Sequence, residues 1–415
     1  MRVTRALLAH AGGAAAMLLR GGAPADQLLS RYFREHRNLG QNDRAFVAET
    51  VFAVLRRKRS LEAAAGSSAP QALVAAALLR VLGHSARALQ GLVEEDVLAK
   101  VRQSAGAALP PAVRADLPDW LWERLARQHG DQEALRIAQG LLNAAPLDLR
   151  VNLARASREE VLDALAADGM AAQATPYSPA GLRLTGKPPV NRHTLFRDGL
   201  VEVQDEGSQL LAWLIAPRRG EMVADYCAGA GGKTLAIAML MRGTGRIYAM
   251  DISAKRLAAL APRAARAGVT NVHSVALSGE SDPRAKRLAG KLDRVLVDAP
   301  CSGFGTLRRN PDLKWRHGPT AIEQLTAKQH SILAAASRLV KPGGRLVYAT
   351  CSLLPEENED IALAFLRESP QFVLQNASAL LQAHGVALDT GEWFRVAPHR
   401  HGMDGFFAAV LERAA

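Results

Sequence analysis

From residue 204 onward the chain alternates short apolar strands with helices, and no other feature of the sequence limits its fold as strongly. Strand-like runs occur at 222–226, 246–251, 271–276, 292–298 and 344–349, with helical pattern through Met239 and over 253–267 between them. Neighbouring strands can be parallel only if a long crossover joins them. This order therefore predicts an α/β domain with a doubly wound, mainly parallel sheet. A Gly402-Met403-Asp404-Gly405 turn before 406–411 predicts a closing antiparallel strand.

Upstream the pattern changes twice. Residues 1 to about 105 read as helical throughout, with apolar residues at helical spacing from Ala45 to Leu55 and Asn42 or Asp43 as the expected N-cap. That helix ends in Arg56-Arg57-Lys58-Arg59, which reads equally as a solvated helix terminus or as a phosphate-binding patch. Prolines 110, 111 and 118 mark a break. A helix then starts near Asp119, followed by strands at 149–153, 182–184 and 200–203 and a helix opened by a Ser157-to-Glu160 capping box. The division expected is 1–118 all-helical, 119–203 a small α+β module with a leading helix, and 204–415 the α/β domain.

Charge and cysteine content narrow the partners. Fifty-two basic against 40 acidic residues give +12, which favours polyanions. Residues 1–59 hold eleven Arg/Lys and four Asp/Glu, a net +7. No run approaches the roughly 20 apolar residues of a membrane span. The first 22 residues resemble a secretory leader, but His10, two glycines and Arg20 favour an amphipathic helix. Three cysteines in 415 residues exclude a disulfide scaffold. The reading is a cytoplasmic protein with no membrane partner.

Candidate chemistry gathers at the carboxyl ends of the strands, where open parallel sheets bind ligands. The first strand ends in Asp225-Tyr226-Cys227-Ala228-Gly229-Ala230-Gly231-Gly232-Lys233-Thr234. Its glycines and the helix start permit close approach of a ligand, although the spacing is not that of a phosphate loop. Asp251 ends the next strand, where an acid can accept hydrogen bonds from ribose hydroxyls. Together they point to a nucleoside-bearing cofactor held by Cys227, Ala228, Gly229, Ala230, Gly231, Gly232, Lys233 and Asp251. The fourth and fifth strands end in Asp298-Ala299-Pro300-Cys301-Ser302-Gly303 and Ala349-Thr350-Cys351-Ser352. All three cysteines thus fall on one rim. Zinc binding is a rival reading, but histidines at ligand spacing are missing.

The 298–303 and 349–352 segments resemble the paired cysteine motifs of S-adenosylmethionine-dependent RNA (cytosine-5) methyltransferases, in particular the RsmB/NOP (Sun/Fmu-type) family. Similar family signatures are Val203-Gln204-Asp205 with Ser208-Gln209, Pro311-Asp312 with Lys314-Trp315, Pro355-Glu356-Glu357-Asn358, and Asp404-Gly405-Phe406-Phe407. Upstream, Leu39-Gly40 with Asp43-Arg44, Val47 and Glu49 resembles the NusB-like helical domain of RsmB-type members.

The resemblance implies a Rossmann-like class I methyltransferase domain, preceded by a small α+β RNA-binding module and a NusB-like RNA-binding domain. It implies S-adenosyl-L-methionine as cofactor and no metal. Cys351 would be the nucleophile, Cys301 would assist product release, and Asp298 would contact both the cytosine and the cofactor. The expected substrate is 16S ribosomal RNA, bound by a monomer, with no DNA partner. Alternatives are the same reaction on transfer RNA, or a non-catalytic ribosome-assembly factor that binds RNA.

Two positions depart from the family pattern. The family's Cys-Ala-Ala-Pro-Gly-Gly-Lys is here Cys227-Ala228-Gly229-Ala230-Gly231-Gly232-Lys233, which loses the rigid proline. After the third strand, where the family places an Asp for the adenine, the chain reads Val275-Ala276-Leu277-Ser278-Gly279-Glu280, and Ser278 offers one hydrogen bond.

Overall fold

The computed structural model describes residues 3–104, 106 and 108–415. Met1 and Arg2 of the expected first helix, and Ala107 of the expected break, lie outside them. The chain forms two compact units, one of residues up to 144 together with 306–319, the other of 145–305 and 320–415.

The first unit is helical, as the apolar spacing predicts. Helix Pro70–Arg80 is buried from Ala72 to Leu78, the sign of a helix surrounded on all sides. Helices Arg5–Arg20 and Gln41–Arg56 pack against it, so the opening apolar stretch is core helix, with Leu7, Ala11, Ala14, Ala15 and Leu18 buried. The predicted cap shifts by two or three residues. Gly40 is the N-cap of Gln41–Arg56, and Asp43 reaches back from inside the helix to accept the Gly40 N–H at 3.2 Å.

The 56–59 side chains are half-buried, and two of the arginines are engaged within the unit. Arg56 donates to the Arg308 carbonyl at 3.1 Å, and Arg59 bonds the Leu117 carbonyl at 2.7 Å and Asp119 at 2.6 Å. The last carbonyls of a helix have no partner within it. Here Trp315 Nε1 donates to the Leu55 carbonyl at 2.7 Å and Lys314 Nζ to the Arg56 carbonyl at 2.8 Å. Lys58 and Lys314 each lie 5.0 Å from the Trp315 ring centre. Segment 306–319 thus caps the helix, and Arg56 and Lys58 take part in this internal junction. Burial lowers the Lys314 ammonium to about 7, against the attraction of Asp116. Trp315→Ala is expected to destabilise this unit by about 2–4 kcal/mol through lost packing, one hydrogen bond and two cation–π contacts. Urea unfolding followed by circular dichroism measures it; an unchanged midpoint would refute the capping role.

The second unit contains two sheets. The smaller is antiparallel, in the order β2-β3-β1-β4 (β1 Leu147–Val151, β2 Ala172–Ala174, β3 Gly181–Leu184, β4 Val201–Val203). Helix Arg158–Ala167 starts with the expected reciprocal capping between Ser157 and Glu160. Val161, Leu165, Leu149, Leu182 and Val201 make its core.

The larger sheet follows from the alternation read in the sequence. Its strands are β5 Met222–Asp225, β6 Arg246–Asp251, β7 Val272–Ala276, β8 Leu292–Asp298, β9 Val340–Thr350, β10 Phe372–Gln375, β11 Phe394–Val396 and β12 Phe406–Arg413. The order is β10-β12-β9-β8-β5-β6-β7, with β11 beside β12. Strands β5 to β9 are parallel and β12 is antiparallel to β9. Short strands β2, β10 and β11 carry too little pattern to be read from sequence. The helix expected over 253–267 is two, Ala254–Ala258 and Leu260–Ala267. Pro262 has no N–H to bond Ala258, so the helix breaks one turn before it.

Strand order reverses between β5 and β8, since β6 and β7 extend on one side of β5 and β8 and β9 on the other. Loops after β5 and β8 diverge there and leave a crevice at the carboxyl ends. Among the described residues no helix is long and apolar enough to cross a membrane.

Candidate active site

A cavity of about 300 Å³ occupies this crevice. Of the residues expected from sequence, Cys227, Asp251, Asp298, Cys301 and Cys351 line it together. Ala228, Gly229, Ala230, Gly231, Gly232 and Lys233 are not among the lining residues.

The glycine loop is shaped by its own neighbours. Gly229 has φ of +56°, and a Cβ there would collide with the Arg256 guanidinium. Its N–H donates to Asp251 Oδ2 at 2.8 Å, while Asp251 Oδ1 accepts from Ser253 N at 2.7 Å. Asp251 therefore ties the loop after β5 to the end of β6. Each carboxylate oxygen has a second lone pair available.

Lys233 lies on the first turn of helix Gly232–Leu240 and turns to the strand ends. Its Nζ donates to Asp298 Oδ2 at 2.7 Å. Burial alone would lower this ammonium, but Asp298 and then Cys351 and Asp225 raise it, so it stays charged. Beneath it, burial raises the Asp225 carboxyl to about 7 despite the 2.7 Å bond from Thr234.

The thiols differ in their surroundings. Burial, with Asp298, Asp225 and Asp251 nearby, pushes Cys227 well above an ordinary thiol, which makes it unreactive at neutral pH. Cys301 and Cys351 meet at 3.5 Å between sulfurs, and the Cys351 N–H donates to Cys301 Sγ at 3.3 Å. The bond to Cys351 raises the Cys301 thiol, and burial adds to it. The two loops are joined further at Gly305, whose N–H donates to the Cys351 carbonyl at 2.8 Å and whose carbonyl accepts from Gly405 N at 2.9 Å. A side chain at Gly305 would strike the Gly405 backbone, so the turn before β12 sets the height of the cysteine loops.

Ser278 does not reach the cavity. Its N–H and hydroxyl both bond Asp282 Oδ2, at 2.8 and 3.0 Å, and Arg284 holds that carboxylate far below its usual range. Gly279 and Glu280 line the wall instead, with Glu280 3.8 Å from Lys328. Ile252, 60% exposed, and Leu277 give the wall beside Asp251 an apolar face. Sequence reading missed Ile252, Arg256, Glu280, Lys328 and Ile332. Ile252 could have been found as the residue directly following Asp251, and Arg256 as a residue of the helix that begins after it; Lys328 and Ile332 carry no motif. Among the described residues no cluster of three or more His, Cys, Asp or Glu is placed to hold a metal ion.

The cavity thus has an apolar wall at Ile252 and Leu277 and, beside it, the Asp251 carboxylate. A doubly wound parallel sheet of this order, closed by the antiparallel β12, is a Rossmann-like class I methyltransferase fold. Residues 212–412 match the family described as 16S rRNA methyltransferase RsmB/F, and 117–191 match the ferredoxin-like domain of RsmF/B-like methyltransferases. The chain is 38% identical over 301 residues to the probable ribosomal RNA small subunit methyltransferase B of Synechocystis, covering 72% of this chain and 67% of that one. It is 36% identical to ribosomal RNA small subunit methyltransferase B of Sodalis glossinidius over 78% and 72% of the two chains. A solved methyltransferase homolog protein from Pyrococcus horikoshii superposes with a TM-score of 0.63 at 29% identity, over 73% of this chain and 97% of that one. The chain belongs to the RsmB/F family of 16S rRNA methyltransferases.

Proposed function

We propose that this protein transfers a methyl group from S-adenosyl-L-methionine to carbon 5 of a cytidine in 16S ribosomal RNA, through a covalent bond between Cys351 and the pyrimidine. The observation that carries the mechanism is the pair of thiols 3.5 Å apart on adjacent strand ends, beside the Lys233–Asp298 ion pair.

Carbon 5 of cytosine is a weak nucleophile until a thiolate adds at carbon 6. Cys351 Sγ makes that bond, and the electron pair displaced toward carbon 5 attacks an electrophilic methyl. Bound cofactor supplies that methyl on a sulfonium. Water in the open cavity takes the carbon 5 proton, the bonding pair left behind re-forms the ring double bond, and the pair of the carbon 6–sulfur bond leaves on Cys351. Cys301, protonated and within 3.5 Å, is the group placed to protonate the departing sulfur. Asp298, fixed by Lys233, faces the cavity from the end of β8 and orients the base. Asp251 and the loop after β5, including Cys227, hold the nucleoside portion of the cofactor. Asp251→Ala is expected to weaken S-adenosylhomocysteine binding about 10- to 100-fold, as measured by calorimetry; unchanged affinity would remove Asp251 from the cofactor site.

The target base must leave its stack to enter the cavity, so an unpaired or loosely paired stretch is the substrate. Residues 1–118 are assigned to a NusB-like RNA-docking domain, 119–203 to the α+β RNA-binding module and 204–415 to the methyltransferase domain, acting as a monomer in the cytoplasm. Bisulfite sequencing of RNA from a strain lacking the protein tests the function. One 5-methylcytosine is expected to vanish from small-subunit ribosomal RNA. Loss confined to transfer RNA would redirect the substrate, and no loss in either would favour a non-catalytic assembly role.

A further inference from the structure

We propose that Glu357 is a positioning residue for the reaction: its carboxylate clamps the two cysteine loops to each other and so sets the geometry between Cys351 and Cys301. The inference rests on the roles given to those cysteines above.

Glu357 is fully buried, and among the described residues no cation pairs with it. A buried carboxylate without a counter-ion is costly unless hydrogen bonds replace its water. Here the replacements come from the residues next to the thiols. Oε1 accepts from Ser302 N at 2.8 Å and from Gln329 Nε2 at 3.0 Å. Oε2 accepts from Ser302 Oγ at 2.5 Å and from Ser352 Oγ. Ser302 directly follows Cys301, and Ser352 directly follows Cys351. The two hydroxyls also touch each other at 3.1 Å. Gln329 Nε2 in addition donates to the carbonyl of Pro300, the residue before Cys301, at 3.0 Å.

One carboxylate therefore holds both loops by the residues adjoining each sulfur. Its own backbone is fixed in turn: Tyr348 Oη donates to the Glu357 carbonyl at 2.5 Å, and neighbouring Asn358 donates to the Ser352 carbonyl at 3.3 Å. The charge of Glu357 also adds, after the Cys351 bond and burial, to what keeps the Cys301 thiol protonated. Glu357, Ser302, Ser352 and Gln329 are not among the residues that line the cavity, so loss of the clamp should misplace the sulfurs without weakening cofactor binding.

The test compares Glu357→Ala, Glu357→Gln, Ser302→Ala and Ser352→Ala in the full chain, using methyl transfer to 16S RNA, affinity for S-adenosylhomocysteine, and the fraction of RNA covalently bound. Glutamine can keep the geometry, since its oxygen accepts and its amide donates to the two hydroxyls. Glu357→Ala is expected to lower kcat about 100-fold, the scale of a misplaced reacting group, with KM and cofactor affinity unchanged and more RNA left covalently attached. Glu357→Gln should recover most of that loss. If Glu357→Ala fails to fold, Ser302→Ala and Ser352→Ala each remove one link and should lower kcat about 10-fold with the same signature. Wild-type kcat and adduct level in the serine variants, or in Glu357→Ala, would overturn the proposal, as would equal losses of kcat and cofactor affinity. Cys351→Ala serves as the control: if it still transfers methyl, the reading of the site fails; if it is inert while the Glu357 and serine variants are normal, only this inference fails.

Discussion

Cys351→Ala is expected to lower methyl transfer by on the order of 10⁴-fold, the scale seen when a nucleophile is removed from a covalent mechanism, while S-adenosylhomocysteine binds as it does to the wild type. The separation follows from sheet order. Cys351 enters the cavity from β9 and Asp251 from β6, with β8 and β5 between them. Three strand spacings amount to roughly 14 Å, so the thiol and the proposed ribose-binding acid act on different parts of the cavity. Lys233 stays charged within electrostatic reach of Cys351, as a site built to carry a thiolate requires. Transfer rates under single turnover and calorimetric affinity measure the two halves. Transfer at the wild-type rate would remove Cys351 from the chemistry.

Cys301→Ala is expected to lower turnover about 100-fold, as loss of a positioned acid does, and to leave RNA covalently attached to the protein. Both effects have one cause. Cys301 Sγ is 3.5 Å from the Cys351 sulfur, and without it the departing sulfur has no adjacent proton. Cys227, the third thiol on the rim, follows β5, two strand spacings or roughly 10 Å from β9, and gives no substitute. Radiolabelled RNA retained on the protein in a denaturing gel reports the adduct. Normal turnover with no retained RNA would show that Cys301 takes no part in release.

How much of this was legible in the sequence depended on the range of the interaction concerned. The parallel strands were, because a buried strand shows its apolar run locally, and β6 and β8 lie at the residues read. The rim of cysteines was legible because strand ends in such sheets converge whatever the side chains are. The 56–59 run was not. Its partners lie far along the chain, Leu117 and Asp119 about 60 residues away and Arg308, Lys314 and Trp315 some 250, and a run of four cations looks the same whether it meets solvent, phosphate or a helix end. Lys233 was placed on the cofactor loop by adjacency, yet its side chain bonds Asp298, 65 residues on. Ser278 looked free to meet an adenine because nothing local shows that Asp282 engages both its amide and its hydroxyl. Glu357 belonged to a recognised motif, but its function as a clamp emerges only when Ser302 and Ser352 are brought together in space.

The central claim is that Cys351 forms the bond to the pyrimidine. Small-subunit RNA containing 5-fluorocytidine tests it most directly, because fluorine at carbon 5 cannot leave as a proton and the adduct is trapped after methyl transfer. Incubation with S-adenosylmethionine, proteolysis and mass mapping are expected to place the nucleotide on the peptide containing Cys351. A nucleotide on Cys301, or active enzyme with no trapped adduct, would contradict it.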